Sequence, residues 1–207
     1  QINANGRIMG IKLRVFVPPH PLIAHWLTIL RDNSTPAPIY ATALEQIGKW
    51  LTYEAIREWL PHRQEKIITP NGEIHGTVID SNIPLLAIPK LNGGLRLWLG
   101  GKDVLPNSRL CLEGIPNTIQ SNAGVILYID QITNGKGLIE TLEDLEERSV
   151  SENRVRVVTA IASSPGLKNI GESFPELTIY SSSIDADLNQ SGEIIPGIGN
   201  TSLRLYT

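Results

Sequence analysis

Three short stretches carry residue types suited to gripping an anion: LNGG at 91–94, DQITNGKG at 130–137 and PGIGN at 196–200. Glycine lets the backbone come close to a ligand, and successive backbone N–H groups can cradle a phosphate. In the second stretch, Asp130 ends the apolar run VILYID. Thr133, Asn134, Gly135, Lys136 and Gly137 follow it as a phosphate-loop-like segment. The Asp130 carboxylate suits either the hydroxyls of a ribose or the capping of the turn that follows. Lys136 reads either as a point charge for phosphate or as an exposed loop lysine. Glycine also serves plain turns, so no single loop defines a site. Their convergence would make one for a phosphorylated ligand.

The elements that must position these loops follow from periodicity. His20–Asp32 places Leu22, Trp26 and Leu30 at i, i+4, i+8, which is one apolar helix face, and Pro21 suits the first turn. A second helix is predicted from Ile39 to Trp59, with Leu44, Ile47, Leu51 and Ala55 as its stripe. Two β-like runs flank Pro70-Asn71-Gly72, a hairpin signal. Beyond residue 84, strands are predicted at LLAIPKL, RLCLEG, VILYID, RVRVVTAIAS and LTIYSSS. The first is followed by a glycine-rich turn at 92–94 and a short apolar segment to Leu99. LIETLEDLEERS reads as an amphipathic acidic helix whose charged face is solvated, and a short helix is expected around Pro165–Ser173.

Buried strands alternating with helices argue for an α/β fold, a mostly parallel sheet flanked by helices. Ligands of such sheets sit outside the carboxyl ends of the strands. The organisation expected is one domain over 1–207: a flexible arm at 1–16, a helical and β-hairpin cap at 17–80, and an α/β core with a loop-rich tail at 81–207.

Composition removes several classes. The chain has 207 residues, 41% hydrophobic, with a formal net charge of −3. No basic stripe marks a nucleic-acid binder. No apolar run is long enough for a membrane span. The start, QINANGRIMG, lacks the apolar core of a secretory signal. Cys111 is the only cysteine, so no intrachain disulfide is available, which suits a reducing, cytoplasmic setting with the plastid stroma as the alternative. Four scattered histidines and one cysteine offer no metal cluster. His20 and His25 are read as structural residues at a helix start. Trp26, Trp50, Trp59 and Trp98 are core residues by default, with a subunit or partner surface as the second reading.

From about Val17 onwards the chain resembles the uracil phosphoribosyltransferase family. HPLIAHWLTILRDNSTP is similar to that family's first helix and loop, LTYEAIR at 51–57 to the end of its second helix, and IYSSSIDADLNQSGEIIPGIGNTSLRLYT to its last strand and uracil-binding tail. The resemblance implies the type I phosphoribosyltransferase fold and a homodimer. It also implies a reaction in which uracil N1 attacks C1 of phosphoribosyl pyrophosphate, pyrophosphate leaves, and magnesium holds the leaving group. In the tail, Ile194, Gly199, Asn200 and Thr201 fall on the family's base-contacting positions, and Arg204 is retained.

Elsewhere the chain departs from the family. The phosphate-loop pattern Asp-Pro-Met-Leu-Ala-Thr-Gly-Gly-Ser keeps its acid, at Asp130, and its second glycine, at Gly137. Gly135, Lys136, Gly137 and Leu138 replace the Thr-Gly-Gly-Ser core, so two hydroxyls are lost. Asn92 stands where the family's Leu-Arg-Ala-Gly loop has an arginine facing pyrophosphate, and a neutral amide cannot replace that fork on a polyanion. Arg96 is a candidate substitute. The lid between Leu110 and Asp130 is roughly a dozen residues too short and carries no arginine. Asn200 replaces an aspartate and Leu203 another. Such losses each cost orders of magnitude in rate. The expectation is therefore a non-catalytic binding, regulatory or structural subunit that takes uracil, UMP or another nucleotide, or an unidentified protein partner. The alternative is a divergent but active transferase requiring Mg2+.

Overall fold

The innermost strands are those whose sequences stay apolar at nearly every position. LLAIP is buried throughout, as is most of GVILYIDQI and VRVVTAIAS. A strand covered on both faces cannot alternate. The computed structural model describes residues 13–206. Along the chain, β1 (Arg14–Phe16) precedes α1 (Pro21–Arg31) and α2 (Ala37–Ile56). The hairpin strands β2 (His62–Thr69) and β3 (Gly72–Ile79) lead to β4 (Leu85–Pro89), α3 (Gly93–Gly101) and β5 (Ser108–Leu110). Next come β6 (Gly124–Ile132), α4 (Lys136–Glu147), β7 (Val155–Ser163), α5 (Ser164–Ser173) and β8 (Thr178–Ser181). The tail holds β9 (Ile184–Asp185), β10 (Asp187–Leu188), β11 (Ile194–Ile195) and α6 (Thr201–Arg204).

Seven strands form one sheet in the order β1-β8-β7-β6-β4-β5, with β9 beside the end of β7, and all of its pairings are parallel. One face packs against α1, α2 and α3 through Leu30, Leu44, Ile47, Leu51 and Leu97. The other packs against α4 and α5 through Leu142, Leu145, Leu167 and Ile170. Each such side chain contributes about 1.5–3 kcal/mol by leaving water.

Local chemistry sets the helix ends. The ring nitrogen Nδ1 of His20 accepts from the N–H of Leu22 at 3.1 Å, and Pro21 opens α1 without needing a donor. This is the structural role expected of His20, whose ring also stacks on Trp50. In α4, Leu138, Leu142 and Leu145 are buried while Glu143, Asp144, Glu146 and Glu147 face solvent. The four tryptophans are half-buried against the α2 side of the core.

Several boundaries differ from expectation. Arg14–Phe16, assigned to the arm, forms an edge strand on β8; residues 1–12 lie outside the described residues. The second helix starts at Ala37 and ends at Ile56 rather than running from Ile39 to Trp59. Helices α1 and α2 are not an outer cap but a core layer, whereas the hairpin forms a separate two-stranded sheet. The strand expected at RLCLEG is only Ser108–Leu110. The glycine-rich turn at 92–94 is the start of α3.

Glycines also set how closely α2 and α3 approach. A methyl group on Gly48 of α2 would lie 2.0 Å from the Leu97 carbonyl oxygen, and one on Gly100 of α3 would lie 1.7 Å from that of Glu45. The two helices meet backbone to backbone, so glycine is required despite its low helix propensity. Gly48→Ala or Gly100→Ala is expected to lower unfolding free energy by about 1–3 kcal/mol, measured by thermal or urea denaturation. An unchanged midpoint would refute this contact.

Candidate ligand site

Three loops meet at Gly93. A methyl group there would lie 2.5 Å from Asp130 Cβ and 2.7 Å from Thr201 Cγ2, so LNGG, the end of β6 and the tail are in direct contact. At Gly94 the same substitution would meet the Tyr128 carbonyl oxygen at 2.2 Å. The Lys90 N–H donates to that carbonyl at 2.8 Å. The Leu91–Asn92 and Ile195–Pro196 peptides are cis. Between the loops lies a cavity of about 330 Å3. Asp130 and Gln131 of β6 and Thr133 just beyond it line one side, and Gly192, Glu193, Gly199, Asn200, Thr201 and Ser202 line it from the tail, with Leu91 opposite.

The β6–α4 turn is held from behind by α5. Thr133 O accepts from Ser163 Oγ, Asn134 O accepts from Asn169 Nδ2 at 3.0 Å, and a Cβ on Gly166 would strike Thr133 O. Gly135 takes φ +82°, a left-handed conformation that favours glycine. Within the turn, Asn134 Oδ1 accepts from the N–H of Lys136 at 3.0 Å. The loop therefore caps one of its own amides. Asn134, not Asp130, does this capping, and no hydrogen bond reaches the Asp130 carboxylate among the described residues. Thr133, Asn134, Gly135 and Gly137 line a second cavity of about 240 Å3, shared with Lys90 and Glu140. The side chain of Lys136 is exposed and lines neither cavity.

The tail is shaped by two arginines. Arg31, at the end of α1, forks onto Asp185: Nη1 donates to Oδ2 at 2.8 Å and Nη2 to Oδ1 at 2.7 Å. Arg31 Nη1 also reaches Gly197 O at 3.0 Å, while Asp185 Oδ2 accepts the Gly197 N–H at 2.9 Å. Bidentate, charge-assisted pairs of this type are directional and strong. Arg204 donates to the carbonyls of Leu30, Asp32 and Ile198 and lies over the Tyr40 ring, 4.3 Å from its centroid. The Tyr40 hydroxyl lies 3.3 Å from Ile198 O. Asn200 Oδ1 accepts the Leu203 N–H and so caps α6.

Of the positions picked out in the sequence, Asp130, Thr133, Gly199, Asn200 and Thr201 share one cavity. Asn92 precedes the first residue of α3 without a side-chain capping hydrogen bond, and its Nδ2 lies 3.5 Å from Ser202 Oγ. Ile194 is instead a core residue, 6% exposed. Arg96, the candidate substitute for a missing arginine, is paired with Glu45 at 2.9 Å on α2. Arg31, Asp185 and Gln131 were missed. Only Gln131 left a local signal, a polar residue next to the end of a buried strand.

The sequence profile described as Uracil phosphoribosyltransferase matches residues 17–207. The chain belongs to the uracil phosphoribosyltransferase family. A protein named uracil phosphoribosyltransferase from Synechococcus elongatus is 39% identical over 96% of this chain and 99% of its own length. One from Arabidopsis thaliana, named as chloroplastic, is 34% identical over 99% of this chain and 73% of its own. The solved structure of the AQ2163 protein from Aquifex aeolicus superposes with a TM-score of 0.79 at 27% identity, covering 93% of this chain and 97% of that one.

In this member of the uracil phosphoribosyltransferase family, the tail depends on the ionised form of Asp185. Burial acts to raise its carboxyl, but hydrogen bonds from Arg31, the Gly197 N–H and Ser183 outweigh burial and hold it below the ordinary value of 3.8. A depressed carboxylate stabilises the fold above its unfolded-state value and loses that contribution as pH falls through its folded value. Asp185→Asn is thus expected to cost about 2 kcal/mol at pH 7. The difference from wild type should shrink as pH drops below 3.8. Urea denaturation at pH 7, 5 and 3 checks this, and a pH-independent difference would contradict it.

Proposed function

We infer that this member of the family is a non-catalytic subunit that binds uracil, UMP or a related nucleotide through its tail. One observation carries the reading: among the described residues, no arginine or lysine lines the cavity where the three loops meet, and two carboxylates, Asp130 and Glu193, do. A donor carrying a pyrophosphate and a 5′-phosphate needs cations aimed at the charge that develops on the leaving group. Here Asn92 is neutral, Arg96 is engaged by Glu45, and an amide of the β6–α4 turn is already capped by Asn134. The tail, by contrast, keeps a rigid scaffold of main-chain groups between Gly197 and Thr201, held by Arg31, Arg204 and Tyr40. Backbone carbonyls and N–H groups suit the amide-like edge of a pyrimidine base. The reading includes a homodimer, an unidentified protein partner as an alternative binding role, and a cytoplasmic or plastid-stromal setting. No helix among the described residues is long and apolar enough to cross a membrane.

The second reading, an active transferase making UMP and pyrophosphate, is favoured by the 39% identity to a relative named for that activity. In that case magnesium would neutralise the pyrophosphate. Mg2+ usually takes one or two carboxylates and completes its shell with water and phosphate oxygens. Asp130 fits such a role because its carboxylate is unengaged, whereas Glu193 already accepts from Asn189 at 2.9 Å. Uracil N1 would then form its bond to C1 as the C1–pyrophosphate bond breaks, and the N1 proton would pass to solvent.

Conversion of radiolabelled uracil to UMP with magnesium, run beside the Synechococcus relative, separates the two readings. Turnover below about one-hundredth of the relative's is expected, the loss of one to two charge-stabilising contacts. Turnover within that factor would overturn the first reading. Calorimetry should also register uracil or UMP but no phosphoribosyl pyrophosphate.

A further inference from the structure

Gln131 follows Asp130 on β6, and its side chain crosses to the tail. Its Nε2 donates to Gly199 O at 2.8 Å and to Thr201 Oγ1 at 3.0 Å. A backbone carbonyl can only accept, so the orientation of the carboxamide is settled by chemistry. Its oxygen, Oε1, has no partner among the described residues, and the side chain lines both cavities. A primary carboxamide sets a donor beside an acceptor. A pyrimidine dione offers the same pair along its N–H and C=O edge.

We propose that the Gln131 carboxamide is a built-in surrogate ligand. It occupies the acceptor edge formed by Gly199 and Thr201, and it must swing out before a heterocycle with an amide-like edge can bind there. The proposal rests on the reading of the tail as a base site and adds what controls its affinity. Displacing the surrogate exchanges one set of neutral hydrogen bonds for another, so net affinity falls by the worth of those already made. Each neutral hydrogen bond is worth about a three- to tenfold change in an equilibrium constant. The polarity of the edge also sets the ligand class: a flat ring must bring a donor to Gly199 O.

The test compares wild type with Gln131→Met, which keeps side-chain length without a donor, and Gln131→Ala in case the first misfolds. Uracil binding is measured by calorimetry, and amide hydrogen exchange is followed in the peptide spanning residues 196–206. The expected result is that both variants bind uracil about ten- to a hundredfold more tightly, the worth of two neutral hydrogen bonds, and exchange the tail amides faster when empty. Saturating uracil should restore wild-type protection. Faster exchange with unchanged or weaker uracil binding would overturn the proposal and make Gln131 an ordinary brace, while the base-site reading stands. No binding heat from wild type or variants up to about 10 mM uracil would remove the base-site reading, and the surrogate with it.

Discussion

A guanidinium at the end of the first helix grips a carboxylate 154 residues later, and the tail holds its shape through that grip. Arg31 and Asp185 do more than neutralise each other. Both bind Gly197, one through its carbonyl and the other through its N–H. Gly197 and Gly199 both sit at positive φ, a region that strains other residues. The tail is thus an irregular segment whose curvature is set by Arg31 of α1 and by its own Arg204, which reaches back to the carbonyls of Leu30 and Asp32. Irregular backbone carries little cooperative stability of its own. Its precision is borrowed from the helical layer beneath it, where α2 and α3 touch backbone to backbone.

The charge layout of the cleft follows from the same economy of cations. The arginines nearest the tail are engaged in structure, with Arg31 on Asp185 and Arg204 on three carbonyls. Lys90 faces the smaller cavity together with Glu140. What remains around the larger cavity is polar and, at Asp130 and Glu193, negative. A field of this sign disfavours a free polyanion and tolerates a neutral ring.

Much of the architecture was legible in the residues themselves. β4 is an uninterrupted apolar run, β6 and β7 are apolar at most positions, and the stripe of α4 repeats at helical spacing between acidic residues. β1 was not legible: three residues have no periodicity, and they form a strand only because β8 offers an edge. The start of α3 was misread because paired glycines argue for a turn. Their real cause is the crowding of Gly93 and Gly94 against Asp130, Thr201 and Tyr128, which no local pattern reveals. Within the site, the convergence of the glycine loops was anticipated from topology. The Arg31–Asp185 fork was not, because its partners lie too far apart in sequence to share a motif. Arg96 illustrates the converse: four residues from Asn92 suggested proximity to the cleft, but helical geometry turned it toward Glu45.

The hairpin of β2 and β3 makes no ladder with the parallel sheet, and its base is closed by the Asp80 N–H on Pro61 O. Most of its residues are exposed, including Ile68 at 83%. The ribbon and the cleft therefore have no ladder hydrogen bond in common. The ribbon is thus the described part of the fold that shares least of its hydrogen bonding with the sheet carrying the cleft.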